Sequence, residues 1–165
     1  MTIEIERKFL VKSLPKRDPD SIYDIKQYYS KNEWGIWERA RTYHSEQKGE
    51  RYIHTIKKNL SKGVNIEDEK EISQSEYQDF INNCMTKSDS RWIEKFRYEY
   101  IDNDLKWEVD VFGFDYKLII AEVELPTKNF DLKIPKFMED IILLEVTGMK
   151  QFNNRSLSLK LKNFN

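Results

Sequence analysis

The sequence predicts an α+β fold: an eight-stranded antiparallel β-barrel that encloses a tunnel, with helices packed outside. Three observations lead there. Eight stretches alternate residue by residue, most carry a charged pair two positions apart on one face, and a helical stretch interrupts them midway.

Ile3 through Val11 is the first strand, with Ile3, Ile5 and Phe9 on one side and Glu4, Glu6 and Lys8 on the other. Pro15 and Pro19 mark the connection to Ile22–Tyr29. Lys31, Asn32 and Glu33 suit a turn, after which Trp34 through Tyr43 returns with Arg39 and Arg41 in equal parity. Arg51 through Lys58 places Thr55 and Lys57 together, and Ile66 through Ile72 puts Glu67, Glu69 and Glu71 on one face. Ser73 stands three residues before Glu76, the spacing of a capping box, and Tyr77, Phe80, Ile81, Cys84 and Met85 then recur at helical intervals. Trp92–Tyr100, Leu105–Phe112 and Leu118–Leu125 are the last strands, separated by turn-forming Asp, Asn and Gly residues. Near the C-terminus, Leu157, Leu161 and Phe164 suggest an amphipathic helix, although Leu157, Leu159 and Leu161 also fit a strand.

Residues 1–165 fit one domain, since two would each bury too little apolar surface. The 39% apolar and 35% charged residues indicate a folded chain. A net charge of -1 provides no general field for nucleic acid or an acidic membrane. Cys84, the single cysteine, cannot form an intramolecular disulfide, and neither a secretory leader nor a membrane-spanning stretch is legible, so a cytoplasmic setting is expected. His44 and His54 read as surface or structural residues, and the four tryptophans read as wall or packing residues. No phosphate-loop glycine signature occurs.

An isolated charged pair on a strand is usually a solvated face. Here the pattern recurs in Glu4/Glu6/Lys8, Arg39/Arg41, Lys57, Glu69/Glu71, Lys95/Arg97, Glu108/Asp110 and Glu122/Glu124. Apolar residues, including Phe9, Ile56, Ile93, Phe96, Val109 and Val123, are expected to face outward under a coat of helix and C-terminal chain. Carboxylates gathered inside a barrel need cations; Mg2+ or Mn2+ would take Glu4, Glu6, Glu122 and Glu124 as oxygen ligands. Glu69, Glu71, Glu108 and Asp110 are further tunnel acids. Arg39, Arg41, Lys57, Lys95, Arg97 and Lys8 complement phosphate oxygens.

Glu4-Ile5-Glu6-Arg7-Lys8 carries the Glu-x-Glu-x-Lys signal of the CYTH, or triphosphate tunnel metalloenzyme, family. The motifs around Arg39, Lys57, Glu69, Lys95, Glu108, Glu122 and Glu145 follow in that family's order, so the chain resembles its small bacterial inorganic triphosphatases over nearly its whole length. The resemblance implies metal-dependent hydrolysis of triphosphate, with ATP cyclisation or simple polyphosphate binding as rivals. It also implies a catalytic pairing of Lys8 with Tyr29 and rim contacts from a lid at Asn154 and Arg155; a homodimer is compatible with it. Two departures stand out: Tyr28 where the family commonly has Gly, and Glu67 where compact relatives carry Arg.

Overall fold

The computed structural model describes residues 1–161. Its first eight strands are β1 (Thr2–Val11), β2 (Ser21–Lys31), β3 (Trp37–Ser45), β4 (Gly49–Ser61), β5 (Val64–Ile72), β6 (Arg91–Asp102), β7 (Leu105–Phe112) and β8 (Asp115–Glu124). They pair antiparallel in the order β6-β2-β3-β4-β5-β1-β8-β7, and β7 returns to β6, closing the expected barrel. Closure leaves these strands without a long free edge. Two short strands are added outside the ring, β9 (Ile142–Glu145) on β1 and β10 (Leu159–Lys160) on β6.

The helix α1 (Gln74–Met85) begins where the sequence indicates: Ser73 Oγ accepts from the Glu76 amide, while the Glu76 carboxylate accepts from the Ser73 amide. It lies over β2, β3 and β4, with Tyr77 against Tyr28 and Tyr52. Strand β3 starts three residues later than the sequence suggests. Asn32 Oδ1 accepts from the amides of both Trp34 and Ile36, and Gly35 takes φ +75°, so these residues form a side-chain-stabilised turn.

The C-terminal expectation needs correction. Among the described residues after Asn153, helix is confined to Asn154–Leu157 (α3), while Leu159 and Lys160 extend and pair with Trp92 and Arg91. Arg91 Nε donates to Ser158 Oγ at 2.9 Å, and the Leu161 amide reaches Ser90 O, so β6 satisfies groups that a helix would otherwise pair internally. Phe164 lies outside the described residues.

The larger apolar core sits outside the barrel wall. Phe9, Val11, Trp107, Val109, Ala121 and Val123 pack there beneath Leu132, Met138 and Ile141 of the C-terminal segment, which includes the short helix α2 (Lys136–Glu139). Each large side chain buried in this way contributes roughly 1.5–3 kcal/mol. Ile93 departs from its outward assignment. It shares the parity of Lys95 and Arg97, faces inward, and joins Tyr29, Phe112 and Ile120 in an apolar plug toward one end of the barrel. Among the described residues no helix is long and apolar enough to cross a membrane.

Candidate active site

Strand β1 presents Glu4, Glu6 and Lys8 to the interior because its backbone is held on both sides. Its first half pairs with β5, Glu6–Val11 pairs with β8, and β9 joins at Phe9. Between β5 and β9, the Gly63 carbonyl accepts from the Glu6 amide at 2.8 Å, and Thr147 Oγ1 accepts from the Lys8 amide at 2.9 Å. Gly63 has φ +69°, and a Cβ there would stand 2.6 Å from the Glu6 carbonyl oxygen. Only glycine permits this approach without a backbone shift.

These side chains line a cavity of about 1030 Å³. One arc is cationic, with Arg39 and Arg41 from β3, Lys57 from β4 and Arg97 from β6, while Lys8 on β1 stands among the acids. The other is acidic, with Glu4, Glu6, Glu122 and Glu124 from neighbouring β1 and β8, and with Glu67, Glu69 and Glu108. Asn154 and Arg155 lie at the rim, where the Arg155 guanidinium stacks 5.0 Å from the Trp37 ring centroid.

The charges are already paired. Arg41 Nη2 lies 2.6 Å from Glu69 Oε2, Arg39 Nη2 lies 3.5 Å from Glu67 Oε1, and Lys8 Nζ lies 3.1 Å from Glu122 Oε1. Lys57 Nζ is shared, at 2.8 Å from Glu4, 3.6 Å from Glu6 and 3.5 Å from Glu67. Arg97 is gripped by Asp110 through Nε and Nη2 at 2.8 and 2.9 Å and also meets Glu108.

Burial, followed by the nearby Glu122 charge, pushes the Glu6 carboxyl up; burial with Glu4 and Glu108 raises Glu124. Burial raises Glu67 to about 7 against the pull of Arg39, helped by carboxyl contacts with Glu4 and Glu69. For Glu122 burial acts the same way, but Lys8, Lys95 and Arg97 overwhelm it and hold that carboxyl well below the ordinary range. Burial depresses the Lys8 ammonium, yet Glu122 and Glu6 more than reverse this, so Lys8 stays protonated.

Four sequence-derived candidates stand apart. Lys95 and Asp110 point into the barrel but are fully buried and do not line the cavity; Lys95 Nζ lies 2.6 Å from Asp110 Oδ2 and so braces the carboxylate that grips Arg97. Glu71 is exposed and absent from the lining, whereas Glu67, placed by parity on the same face and noted as a departure, is buried within it. Tyr29 lines the cavity, but its hydroxyl accepts from Gln27 Nε2 at 3.2 Å and makes no hydrogen bond to Lys8. Asn65 was missed: its Nδ2 donates to Glu6 Oε1 at 3.4 Å while its Oδ1 accepts from Asn59. Its parity with Glu67 was the available signal.

A stretch of 66 residues is 44% identical to an inorganic triphosphatase of Acetivibrio thermocellus, spanning 39% of this chain and 40% of that relative's length. A solved structure of an inorganic triphosphatase matches with a TM-score of 0.62 and 28% identity, covering 98% of this chain and 97% of that one. In sequence over that stretch and in fold over nearly its whole length, this chain is similar to inorganic triphosphatases. A Pyrococcus horikoshii protein, 18% identical over 76% of this chain and 80% of that one, shares the fold at a TM-score of 0.52. No family model matches the sequence.

A divalent metal is expected for a CYTH enzyme. Among the described residues no three His, Cys, Asp or Glu side chains are already gathered at metal-binding geometry. The donor chemistry nevertheless fits: the crowded oxygens of Glu4 and Glu6 already hold a cation, the Lys57 ammonium.

Proposed function

We propose that the chain hydrolyses inorganic triphosphate to diphosphate and phosphate with Mg2+ or Mn2+. The observation that carries this reading is the single cavity in which a cationic arc faces an acidic one, the arrangement needed for a polyanion bound together with its metal. Likeness to two inorganic triphosphatases supports the same substrate class. The same reading takes residues 1–165 as one catalytic domain working in the cytoplasm.

Arg39, Arg41, Lys57 and Arg97 bind phosphate oxygens, with the guanidinium groups oriented by Glu69, Asp110 and Thr55. Glu4, Glu6, Glu122 and Glu124 hold the metal, which when bound draws charge from the phosphate chain. Water attacks the terminal phosphorus, the bridging P–O bond breaks, and its electron pair leaves with diphosphate. Lys8, kept protonated by Glu122 and Glu6, cannot take the water's proton. It stabilises charge developing on the terminal phosphoryl oxygens, while Tyr29, steadied by Gln27, orients the water. The proton departs with the phosphate product.

Orthophosphate release from triphosphate with either metal tests the proposal, with ATP assayed in parallel for cyclic AMP. Tight triphosphate binding without turnover under both metals overturns it, and cyclic AMP formation would reassign the reaction.

A further inference from the structure

The Lys57 ammonium occupies the point where the acids of the cavity converge. Its Nζ lies 2.8 Å from Glu4 Oε2, 3.6 Å from Glu6 Oε2 and 3.5 Å from Glu67 Oε2. No other cation of the cavity is shared by carboxylates from both β1 and β5; Arg41 meets only Glu69, and Lys8 only Glu122. We propose that Lys57 is an internal stand-in for the divalent metal, expelled from Glu4 and Glu6 when the ion binds and thereby released to the phosphate chain.

This inference rests on the hydrolytic reading and adds its regulation. Metal and triphosphate must strengthen each other's binding, because the ion that claims Glu4 and Glu6 frees the cation that the anion needs. Metal alone must displace an ammonium from its ion pairs, and triphosphate alone must draw Lys57 away from three carboxylates. The side chain has room for the exchange: Lys57 retains 31% side-chain exposure and leans on a long flexible stem, unlike Lys95, which is fully buried. Register agrees. Lys57 pairs with Glu67 across β4 and β5, so a modest rotation of its stem moves the ammonium while the backbone stays fixed.

Binding of Mn2+ to triphosphate-free protein, followed by the electron paramagnetic resonance of the free ion, separates this inference from the hydrolytic one, since no turnover is involved. Lys57→Met is expected to bind Mn2+ roughly tenfold more tightly than wild type, and to lose most of the mutual strengthening with triphosphate. Equal or weaker Mn2+ binding by the folded variant overturns the proposal. If that variant fails to fold, wild-type protein gives the answer: Mg2+ should shift the Lys57 Cε–Hε nuclear magnetic resonance signal, assigned with Lys57→Arg, and an unmoved signal overturns the exchange. Absence of triphosphatase activity in the wild-type protein, with the Mn2+ result intact, would sink the hydrolytic reading alone.

Discussion

Asp110→Asn tests the buried charge network most directly. The wild-type carboxylate contacts Lys95 at 2.6 Å and Arg97 at 2.8 and 2.9 Å, and all three groups are buried. Removing one partner of such a pair costs about 3–5 kcal/mol when the remaining charge cannot escape. Arg97 cannot lose its proton, but it keeps Glu108; Lys95 can, because burial has already brought its ammonium down to about 8 despite the pull of Asp110. Shedding that proton near neutrality costs about 1.4 kcal/mol per pH unit, which limits the destabilisation to about 3 kcal/mol at pH 7. The sign follows from the direction of the shift. Unfolded lysine titrates near about 10.4, so wild-type folding releases the Lys95 proton only above about 8, and stability from this group rises with pH from there. Without Asp110 the release begins at lower pH. Urea unfolding between about pH 6.5 and 8 should therefore show the gap between variant and wild type narrowing as pH rises, by up to about 1.4 kcal/mol per unit. A loss below about 1 kcal/mol at pH 7, or parallel profiles for the two proteins, would refute the role given to this network.

Lys8→Met should keep the fold and bind triphosphate, yet lower single-turnover phosphate release by about a hundredfold or more; a near-wild-type rate at saturation removes Lys8 from the chemical step. Glu6→Gln should weaken Mn2+ binding by about tenfold or more, measured by calorimetry on folded protein, and unchanged affinity excludes Glu6 as a ligand. Gly63→Ala forces a Cβ to within 2.6 Å of the Glu6 carbonyl at a left-handed φ. It should cost about 1–3 kcal/mol in chemical denaturation, and an unchanged midpoint would show that β1 can yield there.

The barrel was legible because charge and apolarity alternate so regularly that strand direction and interior face follow from the same pattern. Parity put Glu4, Glu6, Lys8, Arg39, Arg41, Lys57 and Arg97 on the inward face, and all of them line the cavity. Depth along a strand was not legible. Lys95 and Arg97 share a face, but only their register against Phe112 and Asp110 buries the first beside the apolar plug and leaves the second lining the cavity. Glu67, Glu69 and Glu71 likewise share a face, but β1 pairs with β5 only as far as Glu67, and Glu71, beyond that pairing, reaches solvent. The C-terminal segment misled because Leu157, Leu159 and Leu161 suit either period, and the choice was made by unpaired backbone on β6.

Because the apolar core lies outside the barrel wall and the ionic groups lie within, alternate residues of one strand serve opposite requirements. Inserting or deleting a single residue within β1 would turn Glu6 and Lys8 into the site now filled by Phe9, and carry Phe9 toward the ions. Such a chain would lose its stability and its chemistry in one event. Changes of length are consequently expected to be confined to the hairpins, such as Glu46–Lys48 between β3 and β4, while the strands diverge by substitution alone.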